Sequence, residues 1–169
     1  MPEPFFFNET SDPAKLTNRQ RGQLAEVAFM RKAASLGLPI AKPCSEGERY
    51  DFIARVHNIC WRIQVKSAWR KSARRHHYRV KTSGGNGQGT QTPYSAAEID
   101  FLVAYVHPDD IWYVFPANFI AGRQAICILP GSKRSPYDHY REAWKLMNPM
   151  PNETASATAV ETKKQAAGT

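Results

Sequence analysis

Two runs rich in β-branched and aromatic residues, Tyr50 to Val56 and Ile59 to Ser67, are separated only by His57-Asn58. So short a connection admits an antiparallel hairpin and little else, because parallel strands need a long crossover between them. A turn centred on His57-Asn58 pairs Val56 with Ile59 and, continued along the strands, sets Asp51 opposite Gln64. On the second strand Ile59, Trp61, Ile63 and Val65 alternate with Cys60, Arg62, Gln64 and Lys66, so Gln64 and Lys66 leave the sheet from one face. Directly opposed side chains have Cβ atoms about 5 Å apart. The hairpin therefore gathers an acid, an amide oxygen and an ammonium group. Oxygen donors from Asp51 and Gln64 suit a hard cation such as Mg²⁺ or Mn²⁺, which takes the rest of its shell from water and a phosphate. Lys66 is then placed to orient or deprotonate a water, or to stabilise charge building on the phosphate. The competing reading of a D…QxK spacing is a polar strand face carrying an ordinary Asp–Lys pair.

A helix precedes the hairpin. Thr17 with Gln20 three residues on is a capping-box signal, and Gly37 and Pro39 close a helical stretch of about 19 residues. At 100° per residue Ala25, Phe29, Met30, Ala33 and Leu36 share an apolar side, opposite Gln20, Arg21, Arg31, Lys32 and Ser35. Glu26 falls in the middle of the apolar side, so its carboxylate is expected to point toward the sheet, as a third metal ligand, and to need a cation or donor there. The alternative makes it an edge residue snorkelling to water.

Further along the chain, His77 to Lys81, Ile99 to Val106, Ile111 to Phe115 and Ala125 to Leu129 read as strands, Ser83 to Thr90 as a glycine-rich mobile loop, and Tyr137 to Met147 as a closing helix. The class is mixed α/β (α+β). The foldable unit is residues 17–148, between a flexible segment over 1–16 and a disordered tail over 149–169. Asp100, set between apolar residues, is expected to be a hydrogen-bonded aspartate and not a ligand.

Charge points to the partner. Lys and Arg number 23 against 15 Asp and Glu, for a net +8. Eight of those cations (Arg62, Lys66, Arg70, Lys71, Arg74, Arg75, Arg79 and Lys81) fall between Cys60 and Lys81, where there is no acid. Trp69, His76, His77 and Tyr78 lie among them. Cations interleaved with aromatic planes favour nucleic acid; a merely solvated charged face is the alternative. The longest apolar run, Phe101 to Val106, is too short to span a bilayer. Three cysteines without CxxC spacing suggest neither a disulfide framework nor a zinc cage, and suit a reducing cytoplasm. No basic, apolar leader opens the sequence, so a cytoplasmic location is expected. The glycine-rich stretch lacks a phosphate-cradling motif, and no serine or cysteine sits in a nucleophile elbow.

Taken together, Gly22-Gln23-Leu24-Ala25-Glu26, Tyr50-Asp51-Phe52-Ile53-Ala54, Ile63-Gln64-Val65-Lys66-Ser67 and Trp112-Tyr113-Val114-Phe115-Pro116 resemble the PD-(D/E)xK nuclease superfamily. The likeness is closest to its small bacterial group that includes group I intron homing endonucleases, and covers roughly residues 19 to 147. It implies a restriction-endonuclease-like core: a helix, then a mixed β-sheet flanked by helices. It also implies a Mg²⁺-dependent endonuclease that hydrolyses phosphodiester bonds of double-stranded DNA with a metal-activated water. Asp51, Gln64 and Glu26 would serve the metal, Lys66 the chemistry, and Arg62, Arg70, Lys71, Arg74, Arg75, Arg79 and Lys81 the DNA. Tyr50 replaces the motif's proline, and Gln64 stands where most members carry Asp or Glu, as it does in the intron-endonuclease group. The rival is a non-catalytic DNA- or RNA-binding module on the same scaffold. With one site per chain, cutting both strands calls for a homodimer or higher homo-oligomer, or for successive encounters.

Overall fold

The computed structural model describes residues 16–45, 47–70, 77–85, 89–132 and 135–148. Apart from Leu16, the two expected tails lie outside these. Helix α1 (Asn18–Ser35) begins at the expected cap: the Thr17 hydroxyl accepts from Gln20 N–H at 3.2 Å, and the Gln20 side chain accepts from Thr17 N–H at 2.9 Å. It stops at Gly37, whose φ of +64° suits a residue without a Cβ.

Strands β1 (Ile40–Ala41), β2 (Phe52–Val56), β3 (Ile59–Arg70), β4 (Tyr78–Lys81), β7 (Phe101–Val106), β8 (Ile111–Pro116) and β9 (Ala125–Ile128) form one seven-stranded mixed sheet; β5 (Ser83–Gly85) and β6 (Gln91–Pro93) pair separately. The β2–β3 register is the one the turn predicts, from Val56 opposite Ile59 to Phe52 opposite Ile63. On its other edge β3 runs parallel to β7 from Ile63 to Ala68, and β7 pairs antiparallel with β8. All six residues of β7 are buried, which accounts for its unbroken apolar sequence: a strand covered on both faces has no solvent side to alternate with.

The sheet forks at β3. After Phe52–Ile63 the β2 edge ends, and β4 joins only at Trp69–Arg79. Over Gln64 to Ala68 that edge of β3 has no strand beside it among the described residues. One core lies between α1 and the sheet, where Ala25, Phe29, Phe52, Ile63, Val65 and Trp112 meet. The other lies on the opposite face, around Tyr78, Val80, Leu102, Tyr113 and Phe115. Arg62, expected as a DNA contact, is tied to neighbouring residues of the fold. Its backbone N–H and guanidinium reach the Asp100 carboxylate at 2.7 to 3.1 Å, and the guanidinium also donates to the carbonyls of Ala96 and Ala97. Asp100 is thus the hydrogen-bonded aspartate expected.

Three expectations are corrected. The closing segment is two 3₁₀ turns, Asp138–Tyr140 and Trp144–Met147, and not a helix. Between them Glu142 takes φ +47° and its carboxylate accepts from Trp112 N–H at 2.9 Å and Trp144 Nε1 at 2.7 Å, and pairs with Lys32 Nζ at 2.9 Å. Anchoring to β8 and α1 outweighs local helical preference. Ser83–Gly85, read as loop, is strand, because Gln91–Pro93 supplies a partner. On α1 the buried stripe is Ala25, Phe29 and Ala33, while Met30 and Leu36 are exposed. Glu26 therefore sits at the edge of the buried face and not at its centre.

Candidate active site

The open edge of β3 forms the floor of a cleft of about 480 Å³, walled by the first turns of α1 and by β4. The hairpin carries Asp51 and Gln64 to its floor. Asp51 N–H donates to Ile63 O at 2.8 Å, and Asp51 Oδ2 accepts from Val65 N–H at 2.8 Å and from the Gln64 amide nitrogen. Gln64 also donates to Val65 O at 3.1 Å. The carboxylate thus satisfies a main-chain donor that has no partner strand, and Gln64 is buried beside it.

Glu26 lines the same cleft one helical turn beyond Gly22, and Lys42 Nζ holds its Oε2 at 2.7 Å. The cation that the sequence required for Glu26 is Lys42, delivered by the two-residue strand β1. Nothing in the sequence around Lys42 distinguishes it. Lys66, two residues past Gln64, faces the cleft with its ammonium 5.0 Å from the centre of the Tyr94 ring. Arg49 lies against the same ring at 4.6 Å, and is held by Glu98 at 3.1 Å and by the carbonyls of Gly85 and Thr92. Tyr94 is buried, and a Cβ on Gly84 would collide with its hydroxyl. Arg49, Gly84 and Tyr94 escape a sequence reading because they come from three separate loops and strands with no shared spacing.

Burial raises the Asp51 carboxyl to about 6; the Val65 N–H and Lys66 work against that rise, and nearby Glu26 adds to it. Burial also lowers Lys66, with the Arg49 charge acting in the same direction and Asp51 opposing. Two carboxylates crowded in a desolvated cleft are a place where added positive charge is welcome. The donors at hand are all oxygens, from Asp51, Glu26 and the Gln64 amide, the set a hard divalent cation prefers. Among the described residues no three His, Cys, Asp or Glu converge, because the third donor is a neutral amide.

Arg79 and Lys81 also line the cleft, alternating on β4 with buried Tyr78 and Val80. Asn18, Arg21 and Ser67 line it as well, and were missed by sequence reasoning. Lys71, Arg74 and Arg75, together with the side chain of Arg70, lie outside the described residues.

A sequence model described as PD-(D/E)XK endonuclease matches residues 16–147. The chain belongs to the PD-(D/E)XK endonuclease family. The fold agrees with that of a bacterial homing endonuclease, I-Ssp6803I, at a TM-score of 0.67 and 32% sequence identity, over 78% of this chain and 93% of that one. No curated protein matches by sequence. As a PD-(D/E)XK endonuclease with a restriction-endonuclease-like core, the chain carries its motif at the fork of the sheet, where the strand edge is open. Among the described residues no helix is long and apolar enough to cross a membrane.

Proposed function

We propose that this chain is a divalent-metal-dependent DNA endonuclease that hydrolyses phosphodiester bonds. The observation that carries the reading is the convergence of Asp51, Gln64, Lys66 and Glu26 on one cleft, with Asp51 locked in place by a backbone N–H. Asp51, Gln64 and Glu26 would hold Mg²⁺ or Mn²⁺, which supplies positive charge at the scissile phosphate and acidity to an attacking water. Asp51 and Gln64 are pre-set by their mutual hydrogen bond, so little side-chain freedom is lost when an ion arrives. Lys66 is desolvated and pinned over Tyr94, so its charge acts on the phosphate without the screening of bulk water. Arg79 and Lys81, at the cleft's edge, hold the DNA backbone. The substrate is double-stranded DNA, and a second copy of the chain supplies the second site for cutting both strands.

Relaxation of supercoiled plasmid, measured with Mg²⁺, with Mn²⁺ and with EDTA, tests this. Cutting is expected only with metal, and Lys66→Ala and Asp51→Ala should abolish it while DNA affinity changes by less than about threefold. The neutral Gln64 in place of an acid favours a second reading, a DNA-binding module without catalysis. That module would retard the plasmid in a gel and leave it supercoiled under every metal.

A further inference from the structure

Lys66 reaches the cleft on a four-carbon stem that rotates freely unless its surroundings hold it. The Tyr94 ring lies 5.0 Å from its ammonium, within the range of a cation–π contact. Tyr94 follows β6, is buried, and donates its N–H to Thr82 O at 3.0 Å. On the same ring, at 4.6 Å, lies Arg49 from the loop before β2. Its guanidinium is a fork that joins both strands of the β5–β6 hairpin to the turn that follows. It donates to Gly85 O on β5 at 2.8 Å and to Thr92 O on β6 at 3.1 Å, and pairs with the Glu98 carboxylate at 3.1 Å. Glu98 is fixed in turn, because its other oxygen accepts from the N–H and the hydroxyl of Ser95, each at 2.9 Å. Gly84 completes the seat. A Cβ there would overlap the Tyr94 hydroxyl and stand 3.2 Å from the Arg49 guanidinium, although no left-handed φ requires a glycine at this position. Gly84, Arg49 and Tyr94 do not line the cleft, whereas Lys66 does.

We propose that Arg49 and Gly84 are positioning residues for Lys66: Gly84 leaves room for the Tyr94 ring, Arg49 braces that ring against the hairpin, and the ring holds the ammonium where it faces the phosphate. The proposal rests on the nuclease reading and adds to it the support of its lysine. The face of an aromatic ring attracts a cation, so a ring that cannot tilt gives the ammonium one preferred place. Groups that act on a reacting centre need such a locked supporting shell, since about 1 Å of drift can cost about two orders of magnitude in rate. Arg49 and Gly84 act through Tyr94 and touch no reacting atom.

The test is nicking of supercoiled plasmid by the full chain at saturating Mg²⁺, with kcat and KM measured separately and DNA affinity measured in EDTA. Arg49→Gln should lower kcat by about five- to twentyfold and leave KM and DNA affinity within about twofold of wild type. Gly84→Ala should lower kcat by at least about threefold in the same way. The Mg²⁺ concentration for half-maximal nicking should not move, which separates an effect on Lys66 from one on nearby Asp51. In a Tyr94→Leu background either change should cost less than about twofold more, because the ring through which it acts is gone. Thermal melts verify that each variant is folded, and Gly84→Ala carries the test if Arg49→Gln does not fold. An unchanged kcat, a full further loss in the Tyr94→Leu background, a rise in half-maximal Mg²⁺, or an equal loss of kcat and DNA affinity overturns the proposal and leaves the nuclease reading standing. Wild-type protein that leaves the plasmid supercoiled under every metal overturns both.

Discussion

Removing the charge of Asp51 should make the metal-free protein more stable. Burial lifts this carboxyl from 3.8 to about 6, so at neutral pH the folded state holds an ionised group it would prefer protonated. That difference corresponds to about 3 kcal/mol. Both hydrogen bonds to Asp51 fall on Oδ2, and an asparagine keeps both by presenting its carbonyl oxygen there. A neutral oxygen accepts less strongly than an anionic one, which returns about 1 kcal/mol. The expected net gain for Asp51→Asn is about 1–2 kcal/mol at pH 7.5, or a melting temperature higher by about 3–8 °C. The pH dependence follows from the direction of the shift. With its folded pKa raised, the wild-type carboxyl stabilises the fold fully below pH 3.8, and that stability is lost as the pH rises through about 6. The advantage of the asparagine variant should therefore be absent near pH 3.8, grow up to about pH 6 and stay level above it. Denaturant unfolding in EDTA, followed by circular dichroism from pH 4 to 8, measures this; other titrating groups are shared by both proteins and cancel. Added Mg²⁺ should narrow or reverse the difference, because the ion proposed for this site would lose its charged Asp51 ligand in the variant. A variant that is less stable at pH 7.5, or a gain that does not change with pH, would refute the argument that Asp51 is held ionised against its desolvation.

Three other substitutions separate the roles of neighbouring groups. Gln64→Glu should lower the Mg²⁺ concentration for half-maximal nicking, whereas Gln64→Leu should raise it at least tenfold or abolish cutting; a leucine variant as fast as wild type at limiting metal removes Gln64 from the ligand set. Tyr94→Phe keeps the ring face under Lys66 and should retain activity within about threefold, while Tyr94→Leu should reduce kcat with little change in KM; equal kinetics for the two would mean that the ring does not position Lys66. Arg62→Met takes the guanidinium from Asp100 while keeping the backbone N–H of residue 62 on it, and should cost about 1–3 kcal/mol in unfolding free energy with an unaltered salt slope for DNA binding; a flatter slope would place Arg62 in the DNA-contacting set.

The part of this protein legible in its sequence is the part governed by local rules. A two-residue connection fixes a register, strand alternation fixes which side chains share a face, and a cap fixes where a helix starts; together these bring Asp51 to Gln64 and put Lys66 next to them. What the sequence could not decide depends on partners far along the chain. The exposed state of Met30 follows from how α1 is rolled on the sheet, a few tens of degrees that periodicity cannot resolve. Arg62 counts as one cation among eight until Asp100, 38 residues away, claims it. Ser83–Gly85 is strand only because Gln91–Pro93 lies beside it, and 137–147 fails to be a helix because Glu142 is bound to Trp112 and Lys32. Lys42, which pairs with Glu26, Tyr94, which lies under Lys66, and Arg21, which lines the cleft, come from separate elements, so no spacing announces them. The candidate site is written in neighbouring residues of one hairpin, whereas the charges that hold and surround it are assembled by long-range packing, whose geometry exists only once the sheet has forked and α1 has docked against it.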